Sequence, residues 1–186
     1  GLDAAIGFSR QSGIPYGIGF IKNKYIGRTF IQPTQADREN KVRIKLNPIA
    51  AVVEGKRVVL VDDSIVRGTT SARIVKMLRE AGAKEVHMRS ACPPIMYGCK
   101  YLNFSRSNSE MELIARRTVQ NLEGDEGQQH LDEYADGTTQ RGKCMLKAIC
   151  EEMGFDSLGY QSLNGLLEAI GLDKDKVCTY CWNGKE

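Results

Sequence analysis

The chain has 186 residues, 41% of them hydrophobic and 26% charged, with a formal net charge of +3. That apolar share supports a packed core and excludes a disordered or collagen-like chain, and no apolar run approaches the ~20 residues a bilayer span needs. So small a net charge gives no bulk electrostatic case for nucleic acid; neither a nucleic-acid nor a membrane partner is expected. The chain opens Gly1-Leu2-Asp3-Ala4-Ala5, without the basic start or cleavage pattern of an export signal. A cytoplasmic location is therefore expected. The six cysteines are expected to be reduced, being too sparse for a disulfide scaffold. The missing initiator Met marks the chain as a processed product or a piece of a longer protein.

Ala4, Ala5 and Phe8 at near-helical spacing predict a first helix, with Asp3 as N-cap and Gly13 as its stop. Gly17 to Ile21 reads as a strand. The stretch Lys22 to Leu46 follows, carrying Lys22, Lys24, Arg28, Arg38, Lys41, Arg43 and Lys45 with little apolar periodicity. It is either a mobile phosphate-facing loop or an ordinary solvated excursion. Ala50 to Val53 is a short apolar run ending in a Glu54-Gly55 turn. Val58-Val59-Leu60-Val61 reads as a strand buried on both faces. Ile74, Val75, Leu78 and Ala81 mark one face of a helix closed by Gly82, and Val86 and Met88 alternate as a second strand. Strand, loop, helix and strand in this order make a parallel βαβ unit.

The second half breaks at Pro93-Pro94. Ser109-Glu110-Met111-Glu112 has the form of a capping box and predicts a helix to about Val119. Residues 121–141 hold six acids against one Arg and are expected to be a solvated loop. Helices are predicted near Lys143–Met153 and Leu163–Ile170, each followed by glycine.

The chemistry concentrates in Val58 to Ser71, VVLVDDSIVRGTTS. A buried strand there delivers two adjacent carboxylates, Asp62 and Asp63, to the C-terminal edge of a sheet, where open α/β sheets bind ligands. Two acids at such an edge can hold ribose hydroxyls and a Mg²⁺ ion. The loop after them is rich in small and hydroxylic residues and runs into a helix N-terminus. Its backbone amides favour a phosphate, with Ser64, Thr69 and Thr70 as further donors. An acid pair after a strand is common as the mere start of a turn; the whole string with its glycine and hydroxyls is more specific. Gly17-Ile18-Gly19 lacks the third glycine of a dinucleotide fingerprint, and no Gly-Lys-Ser/Thr is present for a P-loop. Separately, Cys178-Thr-Tyr-Cys181 suits tetrahedral zinc, redox chemistry or an iron–sulfur cluster.

The string Val58 to Ser71 resembles the phosphoribosyl-pyrophosphate (PRPP) fingerprint of type I phosphoribosyltransferases and, among them, of glutamine PRPP amidotransferases. Gly13-Ile14-Pro15-Tyr16, Tyr25 to Pro33 and Val42 to Asn47 extend the resemblance, which is weakest over 121–141. It implies an α/β fold with a parallel sheet flanked by helices: an incomplete phosphoribosyltransferase core over 1–98 and a helical, cysteine-bearing extension over 99–186. The family's first core strand is expected upstream of Gly1.

By the same resemblance the reaction is the first committed step of purine synthesis, in which PRPP and glutamine-derived ammonia give 5-phosphoribosylamine. Asp62 and Asp63 would hold the ribose hydroxyls and Mg²⁺. Ser64, Arg67, Gly68, Thr69 and Thr70 would complete the PRPP site, the stretch Arg67 to Thr70 cradling the 5-phosphate. Arg28 and Lys45, in the family's closing loop, would help bind pyrophosphate. Cys99, Cys178 and Cys181 would be three ligands of a four-iron cluster in the full-length parent, itself a homo-oligomer. The fourth ligand would lie outside this chain, which alone is expected to hold no cluster. The family's glutaminase half opens with a catalytic cysteine; this chain opens with Gly1, so ammonia would come from a domain it lacks. The alternative is a PRPP- or nucleotide-binding regulator that kept the fold without the reaction.

Overall fold

A computed structural model describes residues 1–22, 46–101 and 109–185. Helix α1 (Leu2–Ser12) is capped by Gly1 rather than Asp3, which lies inside its first turn; Gly13 stops it with φ 74°. Strands β1 (Phe20–Lys22) and β2 (Leu46–Pro48) pair antiparallel, Ile21 opposite Asn47. The expected strand at 17–21 is thus shifted toward Lys22, where β2 supplies its partner. The apolar run at 50 is a helical turn, α2 (Ala50–Val53), whose Val53 is buried.

Strand β3 (Arg57–Asp62), helix α3 (Thr69–Glu80) and strand β4 (Glu85–Ser90) form the predicted βαβ unit, with β3 and β4 parallel and in register from Arg57↔Glu85 to Asp62↔Ser90. Val86, Met88 and Ser90 point into the core, and α3 covers them with Ile74, Val75 and Leu78. Strand β3 is half-buried instead of buried on both faces. It stands at the edge of the described sheet, whose order is β3-β4-β5, and α1 lies against it.

The second half is more ordered than its composition suggests. The capping-box sequence opens a single 3₁₀ turn (Glu110–Glu112), in which the Ser109 hydroxyl accepts the Met111 N–H. Helix α4 (Ile114–Gly127) follows, with a break at Gly124 (φ 63°, ψ −145°). Helix α5 (Leu131–Ala135) then crosses the stretch read as solvated loop. That reading fails because Leu131 and Tyr134, three residues apart, share one helix face and are buried at 7% and 1% exposure. Two of the acids there are also matched, since Arg141 pairs with both Glu123 and Glu133. Helix α6 (Gln140–Met153) is capped by the Thr139 hydroxyl and stopped by Gly154.

Strand β5 (Ser157–Tyr160) pairs parallel with β4, Ser90 opposite Tyr160. The sequence does not signal it, because only Leu158 and Tyr160 pack against the core, too short a run to mark a strand. Helix α7 (Leu163–Ile170) and a final short helix α8 (Tyr180–Asn183) complete the chain. The core lies between the sheet and α3–α6, around Leu78, Val86, Met88, Ile114, Tyr134, Met145 and Ile149. No helix among the described residues is long and apolar enough to cross a membrane.

Candidate functional site

Strand β3 ends by presenting Asp62 and Asp63 at the C-terminal edge of the sheet. The Asp62 carbonyl accepts the Ala91 N–H at 2.8 Å, which fixes the strand end against the residue after β4. Each carboxylate is then aimed by the next amide: Asp62 Oδ1 accepts Asp63 N–H at 2.9 Å, and Asp63 Oδ1 accepts Ser64 N–H at 2.8 Å. Burial pushes the Asp62 carboxyl up to about 6, helped by the hydrogen bond and charge of Asp63. An acid that is hard to ionise beside a second, exposed acid is relieved by a cation shared between them, so the pair fits a divalent ion.

The loop after the acids is held from below. Ile65 is 2% exposed, and the Val66 carbonyl accepts the N–H of Ile114 at 2.9 Å. Arg67 turns its guanidinium to Glu112, with Nε and Nη2 both 3.0 Å from Oε2. Gly68 caps α3 with φ 80°, and a Cβ there would lie 2.6 Å from Ile114 Cδ1 and 2.8 Å from Met153 Sδ. Only glycine meets both the left-handed backbone and the tight packing. No side chain caps α3, and its first turn holds no acid. The leading amides of α3 are therefore left without a side-chain acceptor, with the hydroxyls of Thr69 and Thr70 in the same first turn, an arrangement that suits an anion. Ser64 directly follows the acids, its N–H held by Asp63, and Gly68 to Thr70 form the start of α3. Arg28 and Lys45, with the whole basic stretch from Asn23 to Lys45, lie outside the described residues.

The cysteines form a second locus. None of the six is in a disulfide. The Cys99 thiol hydrogen-bonds to that of Cys181, and Cys178 lies near enough to act on Cys181 through its charge. Burial first, then these two neighbours, pushes the Cys181 thiol up to about 11. The donors are soft and adjacent, as a thiolate-bound metal requires. Among the described residues, however, no three His, Cys, Asp or Glu side chains converge on one metal position.

Sequence reasoning missed what anchors this locus. The Cys181 carbonyl accepts the N–H groups of Met96 and Tyr97 at 2.9 and 3.0 Å. Tyr180 packs on Tyr97 with ring centroids 5.7 Å apart, and Lys100 Nζ sits 4.3 Å above the Tyr180 ring. Behind Tyr97 lies Arg116, 8% exposed, which donates to Gln128 Oε1 and the Met96 carbonyl and pairs with Glu110. A lone arginine on a predicted helix carries no mark of such a role.

No protein-family model matches the chain. Curated proteins named amidophosphoribosyltransferase match it end to end. That of Methanothermobacter thermautotrophicus is 46% identical over 183 residues, covering 98% of this chain and 33% of the relative. That of Methanocaldococcus jannaschii is 48% identical over 186 residues, covering 100% and 33%. The solved structure of glutamine PRPP amidotransferase from B. subtilis, complexed with ADP and GMP, superposes with a TM-score of 0.72 at 45% identity, covering 99% of this chain and 35% of that one. The chain belongs to the amidophosphoribosyltransferase family. It spans about a third of the length of the curated relatives it matches. Its α/β architecture is the type I phosphoribosyltransferase fold of these amidophosphoribosyltransferases. In this family member the acid pair, the glycine loop and the α3 N-terminus fall on one continuous strand–loop–helix.

Proposed function

We propose that this chain carries the PRPP site of an amidophosphoribosyltransferase, which makes 5-phosphoribosylamine from PRPP and glutamine-derived ammonia at the start of purine synthesis. The observation that carries the reading is the acid pair of β3 running through a left-handed glycine into the uncapped start of α3, in a chain close to half identical to enzymes of that name. Asp62 and Asp63 hold the ribose hydroxyls and a Mg²⁺ ion. The amides from Ser64 to Thr70, with the hydroxyls of Ser64, Thr69 and Thr70, receive the 5-phosphate. Mg²⁺, when bound, offsets the charge that grows on pyrophosphate as it leaves C1 and the amine arrives. Arg28 and Lys45 help bind the leaving pyrophosphate. No side-chain nucleophile is needed, because the sugar carries the developing cation. Shielding that cation from water is the work of the surrounding chain.

Cys99, Cys178 and Cys181 would supply three thiolates to a four-iron cluster in the parent, with a fourth cysteine from outside this chain; among the described residues the three do not converge on one metal position. Such a cluster, when bound, cross-links the C-terminal tail to the segment after β4. The ammonia source, the homo-oligomer and the cytoplasmic location belong to the same reading.

Calorimetry with Mg²⁺ and PRPP tests the site. The chain should bind, and the double variant Asp62→Asn/Asp63→Asn should not; equal binding by both removes the acids from the site. Pyrophosphate release from PRPP in ammonium buffer by the parent separates a catalyst from a regulator that only binds. The relatives compared are all named as transferases, which favours the catalyst.

A further inference from the structure

We propose that Glu112 is a positioning residue of the phosphate loop. Its carboxylate holds Arg67 as a brace, so that phosphate is received by the loop amides and hydroxyls and not by the Arg67 guanidinium. The inference rests on the reading that Ser64 to Thr70 takes the 5-phosphate of a phosphoribosyl ligand.

Arg67 is the only cation in the loop from Asp62 to Thr70, and a loop arginine beside a phosphate site is ordinarily taken as a ligand. The geometry points elsewhere. Both Nε and Nη2 of Arg67 are spent on the one oxygen Glu112 Oε2, each at 3.0 Å. One residue earlier the Val66 carbonyl accepts from Ile114, and one residue later Gly68 rests on the Ile114 and Met153 side chains. Three consecutive loop residues are therefore tied to the same element, the turn and helix start at 110–114.

That element is fixed in its own right. Ser109 closes the turn through its hydroxyl and carbonyl, which accept from Met111 and Glu112. Glu110 pairs with buried Arg116, itself bonded to Gln128 and to the Met96 carbonyl. Leu113 and Ile114 are 0% and 1% exposed. A gate that releases Arg67 to a ligand needs a partner that can move away. Glu112 stands on an anchored turn, which makes the pair a brace. The two carboxylates of the turn split their work: Glu110 grips the core and Glu112 grips the loop. An arginine already matched by a carboxylate also offers little net charge to a phosphate dianion.

The test uses the 186-residue chain, ribose 5-phosphate as probe with Mg²⁺ present, and ribose as control. Both partners are more than a third exposed, 37% and 42%, so Glu112→Gln, Arg67→Met and the double variant should fold. A brace predicts that each single variant weakens ribose 5-phosphate binding about three-fold, in keeping with a half-exposed ion pair. The double variant should then be no worse than the poorer single. Arg67→Met should leave the salt dependence of binding unchanged, and the swapped pair Arg67→Glu/Glu112→Arg should recover most of the affinity. Tighter binding by Glu112→Gln, with a larger loss and a flatter salt dependence for Arg67→Met, overturns the brace. It would show instead an arginine that touches phosphate and is masked by Glu112. Failure of the unaltered chain to bind ribose 5-phosphate sinks the phosphoribosyl reading, not the brace. Hydrogen exchange of the 64–70 amides then decides: faster exchange in Glu112→Gln, restored in the swapped pair, supports the brace, and unchanged exchange overturns it.

Discussion

Asp62→Asn should stabilise the ligand-free chain at neutral pH while abolishing its response to Mg²⁺. The Asp62 carboxyl is pushed from 3.8 to about 6, by burial first and by Asp63 second. A carboxyl whose folded-state pKa is raised takes up protons on folding between those two values. Stability therefore falls as pH rises from about 4 to 6, and the full cost is present above 6. At about 1.4 kcal/mol for each tenfold change in proton affinity, that cost is on the order of 3 kcal/mol at pH 7. Asparagine keeps the oxygen that accepts the Asp63 N–H and discards the charge. A gain of about 1–3 kcal/mol is expected at pH 7.5, which for a domain of this size is a rise in Tm of roughly 3–8 °C. At pH 4 the gain should vanish. Thermal unfolding of both proteins followed by circular dichroism, at both pH values with and without Mg²⁺, gives the comparison needed. Mg²⁺ should raise the Tm of the unaltered chain at pH 7.5 and narrow the gap to the variant. A lower Tm for Asp62→Asn at pH 7.5 without Mg²⁺, or an equal change at both pH values, refutes the reasoning.

Gly68→Ala combines a left-handed backbone with a Cβ 2.6 Å from Ile114 Cδ1, so urea unfolding should report a loss on the order of 2–4 kcal/mol. Arg116→Met leaves Gln128, Glu110 and the Met96 carbonyl without their donor; it should cost about 2–4 kcal/mol, and Glu110→Gln added to it should cost little more. Tyr134→Ala should cost about 3–5 kcal/mol if the acidic stretch is packed as described, against almost nothing for a solvated loop. In the parent, purified without oxygen, Cys178→Ser should lower iron and acid-labile sulfide together. Stoichiometric zinc without sulfide in the unaltered parent would replace the cluster with a zinc site.

The elements that the sequence disclosed are those whose signals are local. Val58 to Val61, the α3 face at Ile74, Val75 and Leu78, and the alternation of Val86 and Met88 each fall within one strand or helix. Glycine stops at 13, 154 and 171 mark helix ends by a positive φ that other residues resist. What was missed depends on partners distant in sequence. Strand β5 has two inward side chains and exists because β4 offers it a ladder. Helix α5 is polar in composition, and its order comes from Leu131 and Tyr134 meeting α6 and the core. The half-burial of β3 could not be read from four apolar residues in a row, because a run of that kind states a preference for burial and says nothing of which neighbours provide it.

The same division separates the chemistry of the site from its support. The acids, the glycine and the hydroxyls lie within nine residues, Asp62 to Thr70, and need only a strand and a helix to converge. Their support comes from 45 residues further on, where Glu112 meets Arg67. The turn at 110–112 also faces the other way: Glu110 holds Arg116, Arg116 holds the Met96 carbonyl and lies 5.6 Å from the Tyr97 ring, and Met96 and Tyr97 hold the Cys181 carbonyl. One short turn thus stands between the phosphate loop and the cysteine-bearing tail. Its neighbours at Leu113 and Ile114 are fully packed, and a packed turn with both carboxylates engaged resists displacement. A switch at this place would need a second arrangement of the turn, and that would leave buried Arg116 without its carboxylate, a costly state for a charge with so little access to water.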